Sequence, residues 1–91
     1  MARLHLTVRG KVQGVGFRWF VREVARRSSL SGWVRNLEDG GVEIVVAGTP
    51  EALDHLIAAV KQGPPNARVE GVSQRAVATD AALPTPFTVL R

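Results

Sequence analysis

The sequence predicts an α+β fold, with two helices on one face of an antiparallel sheet, in the order β-α-β-β-α-β plus a short C-terminal strand. Three observations predict it. Apolar residues alternate at the two-residue period of a strand in several separate stretches. Two further stretches repeat at the helical period. These helices follow alternate strands, an order that packs both on the same side of one sheet. With 91 residues, 45% hydrophobic and 22% charged, the chain has the composition of a single folded domain, 1–91.

Each element has its own signal. Ala2, Leu4, Leu6 and Val8 alternate with Arg3, His5, Thr7 and Arg9, a half-buried strand. The stretch from Gly10 to Gly16 breaks that pattern with three glycines. Phe17, Phe20, Val21, Val24 and Ala25 then mark one face of a helix, with Arg18, Arg22 and Arg26 down its other side. Glu23 and Arg27 are spaced for an i,i+4 ion pair, and Ser28-Ser29 ends the helix. Leu30 to Arg35 supplies a second strand containing Trp33. The Asp39-Gly40 pair predicts a hairpin turn built on positive φ angles.

Val42, Ile44 and Val46 form the buried side of the next strand. Thr49-Pro50-Glu51 opens the second helix with an N-cap, a proline at the first helical position and an acid in the first turn. Its buried face is Leu53, Leu56, Ile57 and Val60, and Gly63-Pro64-Pro65 stops it. In the strand from Ala67 to Val77, a bulge at Gly71 puts both Val69 and Val72 on the core face. Thr79 to Pro86 is an Ala/Pro connection, and Phe87 to Arg91 a short edge strand. This is the order of the ferredoxin-like α/β sandwich, which by itself decides nothing about activity.

Composition narrows the chemistry. With no cysteine there is no disulfide, thiolate metal site or cysteine nucleophile, and the redox compartment stays open. No apolar run approaches the ~20 residues of a membrane span, and nothing signal-like follows Met1. A cytoplasmic, soluble domain is expected. Residues 1–36 carry eight bases and one acid, whereas residues 37–91 carry four bases and seven acids. Ten of the twelve bases are arginine, suited to forked binding of carboxylate or phosphate. An anionic partner is therefore sought in the first third of the chain.

The segment Gly10-Lys11-Val12-Gln13-Gly14-Val15-Gly16-Phe17-Arg18 lies between a strand and a helix N-terminus. Gly14 and Gly16 let backbone approach a ligand, the helix end offers unpaired N–H groups, and Arg18 can fork onto the same anion. It fits neither the Walker A pattern nor the dinucleotide fingerprint, and a plain tight turn explains the glycines equally. Asn36 ends a strand facing the mouth of this loop, where an amide can hold a water; hairpin punctuation is the competing explanation. His5 and His55 are isolated, with no acid at ligand spacing, so surface or packing roles and no metal are expected. Trp19 and Trp33 are expected to pack at core or edge, a ligand-facing wall being the other reading.

Taken together, these motifs resemble the acylphosphatase family. The loop is similar to its Gly-x-Val-Gln-Gly-Val-Gly-Phe-Arg signature, and Gly32-Trp33-Val34-Arg35-Asn36 to its second motif. Gly63-Pro64-Pro65-x-Ala67-x-Val69 and the terminal Phe87-x-Val89 also match, so the resemblance covers nearly the whole chain. It implies hydrolysis of acyl phosphates to carboxylate and inorganic phosphate without metal, cofactor or phosphoenzyme. It also implies phosphate binding by Gln13, Gly14, Val15, Gly16, Phe17 and Arg18, with Asn36 orienting the attacking water.

Arg22, Arg26 and Arg27 are expected to supply background field and solubility. Ser28-Ser29 departs from the family's usual Leu-Gly, removing a buried leucine and a positive-φ terminator. A free-standing monomeric enzyme is expected over a fused-domain relative or an RNA-binding module, the last lacking the stacking aromatics it needs. Neither nucleic acid nor membrane is an expected partner.

Overall fold

The alternation of the first stretch becomes β1 (Ala2–Lys11), whose Leu6 and Val8 are fully buried. The chain continues through α1 (Phe17–Arg27), β2 (Ser31–Asn36), β3 (Val42–Gly48), α2 (Pro50–Gln62), β4 (Arg68–Ala76) and β5 (Thr88–Val89). This computed structural model describes residues 2–77 and 82–91, so the Thr79–Ala81 part of the expected connection lies outside the described residues. The sheet order is β4-β1-β3-β2-β5, and α1 and α2 sit on one side of it, the ferredoxin-like arrangement. The edge departs from the all-antiparallel expectation, because β5 pairs with β2 in parallel. β4 and β5 lie at opposite edges of the sheet, and β5 runs in the same direction as β2.

The core is the layer between helices and sheet. Phe17, Val21 and Val24 of α1 and Leu53, Leu56 and Val60 of α2 meet Leu6, Val8, Ile44 and Val46 of the central strands. Phe87 is fully buried against the same cluster. Burying a side chain of this size contributes about 1.5–3 kcal/mol, so Phe87 anchors the C-terminal segment beside β2. Backbone bonds from Gly32 N to Pro84 O (2.9 Å) and from Leu90 N to Val34 O (2.8 Å) reinforce it.

Local chemistry explains the element ends, with four corrections. Thr49 caps α2 as expected, its hydroxyl accepting from Ala52 N at 3.2 Å. The hairpin is a three-residue loop in which Gly40 N donates to Leu37 O (3.2 Å) and Gly40 takes φ 96°; Asp39 does not share a positive φ. Asp39 instead bonds Arg9, and its Oδ1 accepts from Gly41 N at 3.0 Å. The bulge on β4 falls one residue early: Arg9 faces Gly71 and Gly10 faces Val69, leaving Glu70 as the extra residue. Val69 and Val72 still both pack on the core.

The Glu23–Arg27 ion pair does not form. Arg22, lying over the Trp19 ring, takes the Glu23 carboxylate at 2.7 Å, and Arg27 bonds the Glu23 carbonyl instead. Ser29 adopts φ 57°, so a residue with a side chain occupies the left-handed position that ends α1. His5 is not isolated either. Thr7 and Glu43 are register partners, two residues along the strand from His5, and His5 Nε2 lies 2.6 Å from Glu43 Oε2.

Candidate active site

The first glycine-rich motif turns sharply between β1 and α1. Gly14 and Gly16 hold φ 74° and 76°, a left-handed conformation that a side chain would strain. The space around both is open: a Cβ at either would meet nothing within 4 Å. Backbone conformation is therefore what demands glycine here. Gly16 is also the N-cap of α1, with no side-chain cap and no acid in the first turn. By contrast, α2 has both a Thr cap and Glu51. The first N–H groups of α1 are thus left for an anion at the positive end of the helix dipole.

A cavity of about 510 Å³ opens at this helix end. Gly14, Gly16, Phe17 and Arg18 line it from the loop and first turn, and Asn36 from the end of β2. The two motifs, eighteen positions apart between Arg18 and Asn36, meet in one place. Arg18 Nη1 donates to Leu90 O at 2.9 Å, which orients the guanidinium and leaves its other donors available. Among the described lining residues there is no aspartate, glutamate or histidine.

Gln13 and Val15 are placed differently. The Gln13 amide donates to Leu37 O (2.7 Å) and Gly41 O (2.8 Å), pinning the loop to the β2–β3 turn. Val15 packs against the core. Neither side chain lines the cavity, so both support the loop from behind.

Several walls were not anticipated. Thr88, Val89 and Arg91 close one side, brought there by the β5 pairing. Arg22 and Arg26 also line the cavity. Their signal was present in the spacing, since positions 18, 22 and 26 are one helical turn apart and share a face. Arg26 Nε donates to Phe87 O at 2.9 Å, a second tie between α1 and the C-terminal segment. Trp19 is 61% exposed and lines the cavity, the second of the two readings open to it, with the Arg22 guanidinium 4.2 Å from its ring centre.

The shifted carboxyls lie outside this cavity. Burial pushes Glu43 up, but hydrogen bonds from His5 and Arg35 outweigh it and hold the carboxyl below the usual range. Asp39 is lowered first by its bond from Arg9 and then by the Gly41 amide. Both stabilise the sheet and its turn. Trp33 sits on the open face of the sheet with Arg35 at 5.4 Å from its ring centre.

The acylphosphatase family model matches residues 4–89. The chain belongs to the acylphosphatase family. It is 47% identical to an acylphosphatase of Methylococcus capsulatus over 100% of this chain and 98% of that one. The crystal structure of an acylphosphatase from Bacillus subtilis superposes with a TM-score of 0.94 at 37% identity, covering both chains completely. The HypF protein of Thermococcus kodakarensis contains a similar region, at TM-score 0.82 and 37% identity, covering 98% of this chain and 12% of that one. The chain is accordingly an enzyme of acyl phosphate hydrolysis. Among its described residues, no helix is long and apolar enough to cross a membrane.

Proposed function

We propose that the cavity at the N-terminus of α1 holds the phosphoryl group of an acyl phosphate, bound by the backbone amides of Gln13 through Phe17 and by the Arg18 guanidinium, while Asn36 orients the attacking water. The observation that carries this reading is the convergence of an uncapped helix end, Arg18 and Asn36 on one cavity.

The chemistry asks for little more. Water attacks phosphorus in line with the bond to the acyl oxygen, which departs as a carboxylate. Loop amides and Arg18 bear the charge on the phosphoryl oxygens, as preorganised donors that need no rearrangement during the reaction. The Asn36 amide accepts a hydrogen bond from the water and fixes its approach. No aspartate, glutamate or histidine lines the cavity among the described residues, so the acyl phosphate itself takes the water's proton. The enzyme works as a cytoplasmic monomer, with neither nucleic acid nor membrane as partner.

The purified chain should hydrolyse benzoyl phosphate in the presence of EDTA, with inorganic phosphate as a competitive inhibitor. Arg18→Ala should abolish turnover and weaken binding of inorganic phosphate measured by calorimetry. Asn36→Ala should lose turnover with phosphate binding largely kept. Full activity in either variant overturns the role given to that residue.

A further inference from the structure

Phosphate binding leaves much of the cavity unexplained. Its 510 Å³ lies within the roughly 300–1,000 Å³ typical of small-molecule sites, far more than a phosphoryl group fills. Its charge is also in excess. Arg18, Arg22, Arg26 and Arg91 all line it, with no aspartate or glutamate among the described lining residues. In the placement above only Arg18 meets the phosphoryl group, so Arg22 and Arg26 are lining cations that phosphate binding does not use.

The surplus is built into fixed positions. Arg22 is held by Glu23 at 2.7 Å and by the Trp19 ring at 4.2 Å, and Arg26 by the Phe87 carbonyl at 2.9 Å. Ordering a long arginine on binding costs entropy; here much of that ordering precedes the ligand. Trp19, the exposed large hydrophobic residue among those described, supplies a flat apolar wall beside these cations. The arrangement suits a short carbon skeleton that ends in a negative charge.

Resting on the phosphoryl placement above, we infer that Trp19, Arg22 and Arg26 form an acyl-group subsite selecting acyl phosphates whose acyl portion carries a second anionic group. Phosphoryl and distal anion would lie along one helix face, at Arg18 and at Arg22 and Arg26, about 6 Å and about 12 Å further along the axis. A carboxylate and a second phosphate share this chemistry.

A matched pair of substrates tests it: benzoyl phosphate and 4-carboxybenzoyl phosphate, which share the ring and the reacting anhydride. The wild-type kcat/KM should favour the carboxylated substrate by about tenfold at low salt, equal to about 1.4 kcal/mol, and the preference should shrink as salt screens the pair. Arg22→Gln should bring the ratio toward one, and Arg22→Lys should restore part of it. The ratio is insensitive to a general loss of folding, which lowers both rates together. A wild-type ratio of one or below, or the same ratio in Arg22→Gln, overturns the subsite. Hydrolysis of neither substrate, with no binding of inorganic phosphate by calorimetry, would instead refute the phosphoryl placement, and the subsite with it. Replacing the 4-carboxylate by a phosphonate distinguishes the two anion sources, and a preference for either one supports the subsite.

Discussion

The Gln13 side chain offers a way to separate support of the loop from contact with the ligand. Gln13→Met keeps the length and volume of the side chain but removes the two bonds to Leu37 O and Gly41 O. Each such bond is worth about 0.5–1.5 kcal/mol net. The carbonyls left behind are not orphaned, because Leu37 O still accepts from Gly40 N and Gly41 O from Leu37 N. The desolvation penalty of an unpaired buried acceptor therefore drops out, and the expected loss is about 2 kcal/mol. For a domain of this size that corresponds to a fall in Tm of roughly 8–16 °C. Phosphate inhibition should also weaken at temperatures where the variant is fully folded, because the loop amides lose their aim. Thermal unfolding followed by circular dichroism, with phosphate inhibition measured well below the transition, checks both. A Gln13→Met protein that melts with the parent and binds phosphate equally well would refute the reasoning.

Other outcomes follow from the same structure. Ser29→Gly should stabilise the chain by about 0.5–1 kcal/mol, since the left-handed conformation costs a side-chain-bearing residue more than glycine loses in entropy; urea unfolding should show a higher midpoint with an unchanged slope. Glu43 titrates below its unfolded value of 4.5, so its contribution to stability is present above that pH and lost as pH falls through the lowered folded value. Glu43→Gln should therefore flatten the decline in stability on the acid side of 4.5, measured by urea unfolding across that range. Arg18→Lys should fail to restore the turnover lost in Arg18→Ala, because an ammonium cannot reproduce the planar fork; steady-state assay with benzoyl phosphate decides it.

Much of the fold was legible because its signals are local. The Thr49 cap, the apolar stripe of Leu53, Leu56 and Val60, and the alternation of Val42, Ile44 and Val46 need only near neighbours to take effect. The bulge was legible in kind, since Val69 and Val72 cannot both face the core of a regular strand. Its residue was not, because register depends on the partner strand, and β1 shifts between Arg9 and Gly10. The Glu23–Arg27 pair failed for a related reason. Helical spacing permits it, yet Arg22 reaches Glu23 from its place over Trp19.

The sequence alone determined the helices, the strands and the glycine loop, because periodicity, capping and turn chemistry act within a few residues. Tertiary structure decided the rest. It put His5 beside Glu43, turned Gln13 away from the cavity and onto the hairpin, and carried the C-terminal segment along β2. It also turned a row of helix arginines, together with Thr88, Val89 and Arg91, into walls of one cavity. These are contacts between residues tens of positions apart, set by strand order and register, and no local pattern encodes them.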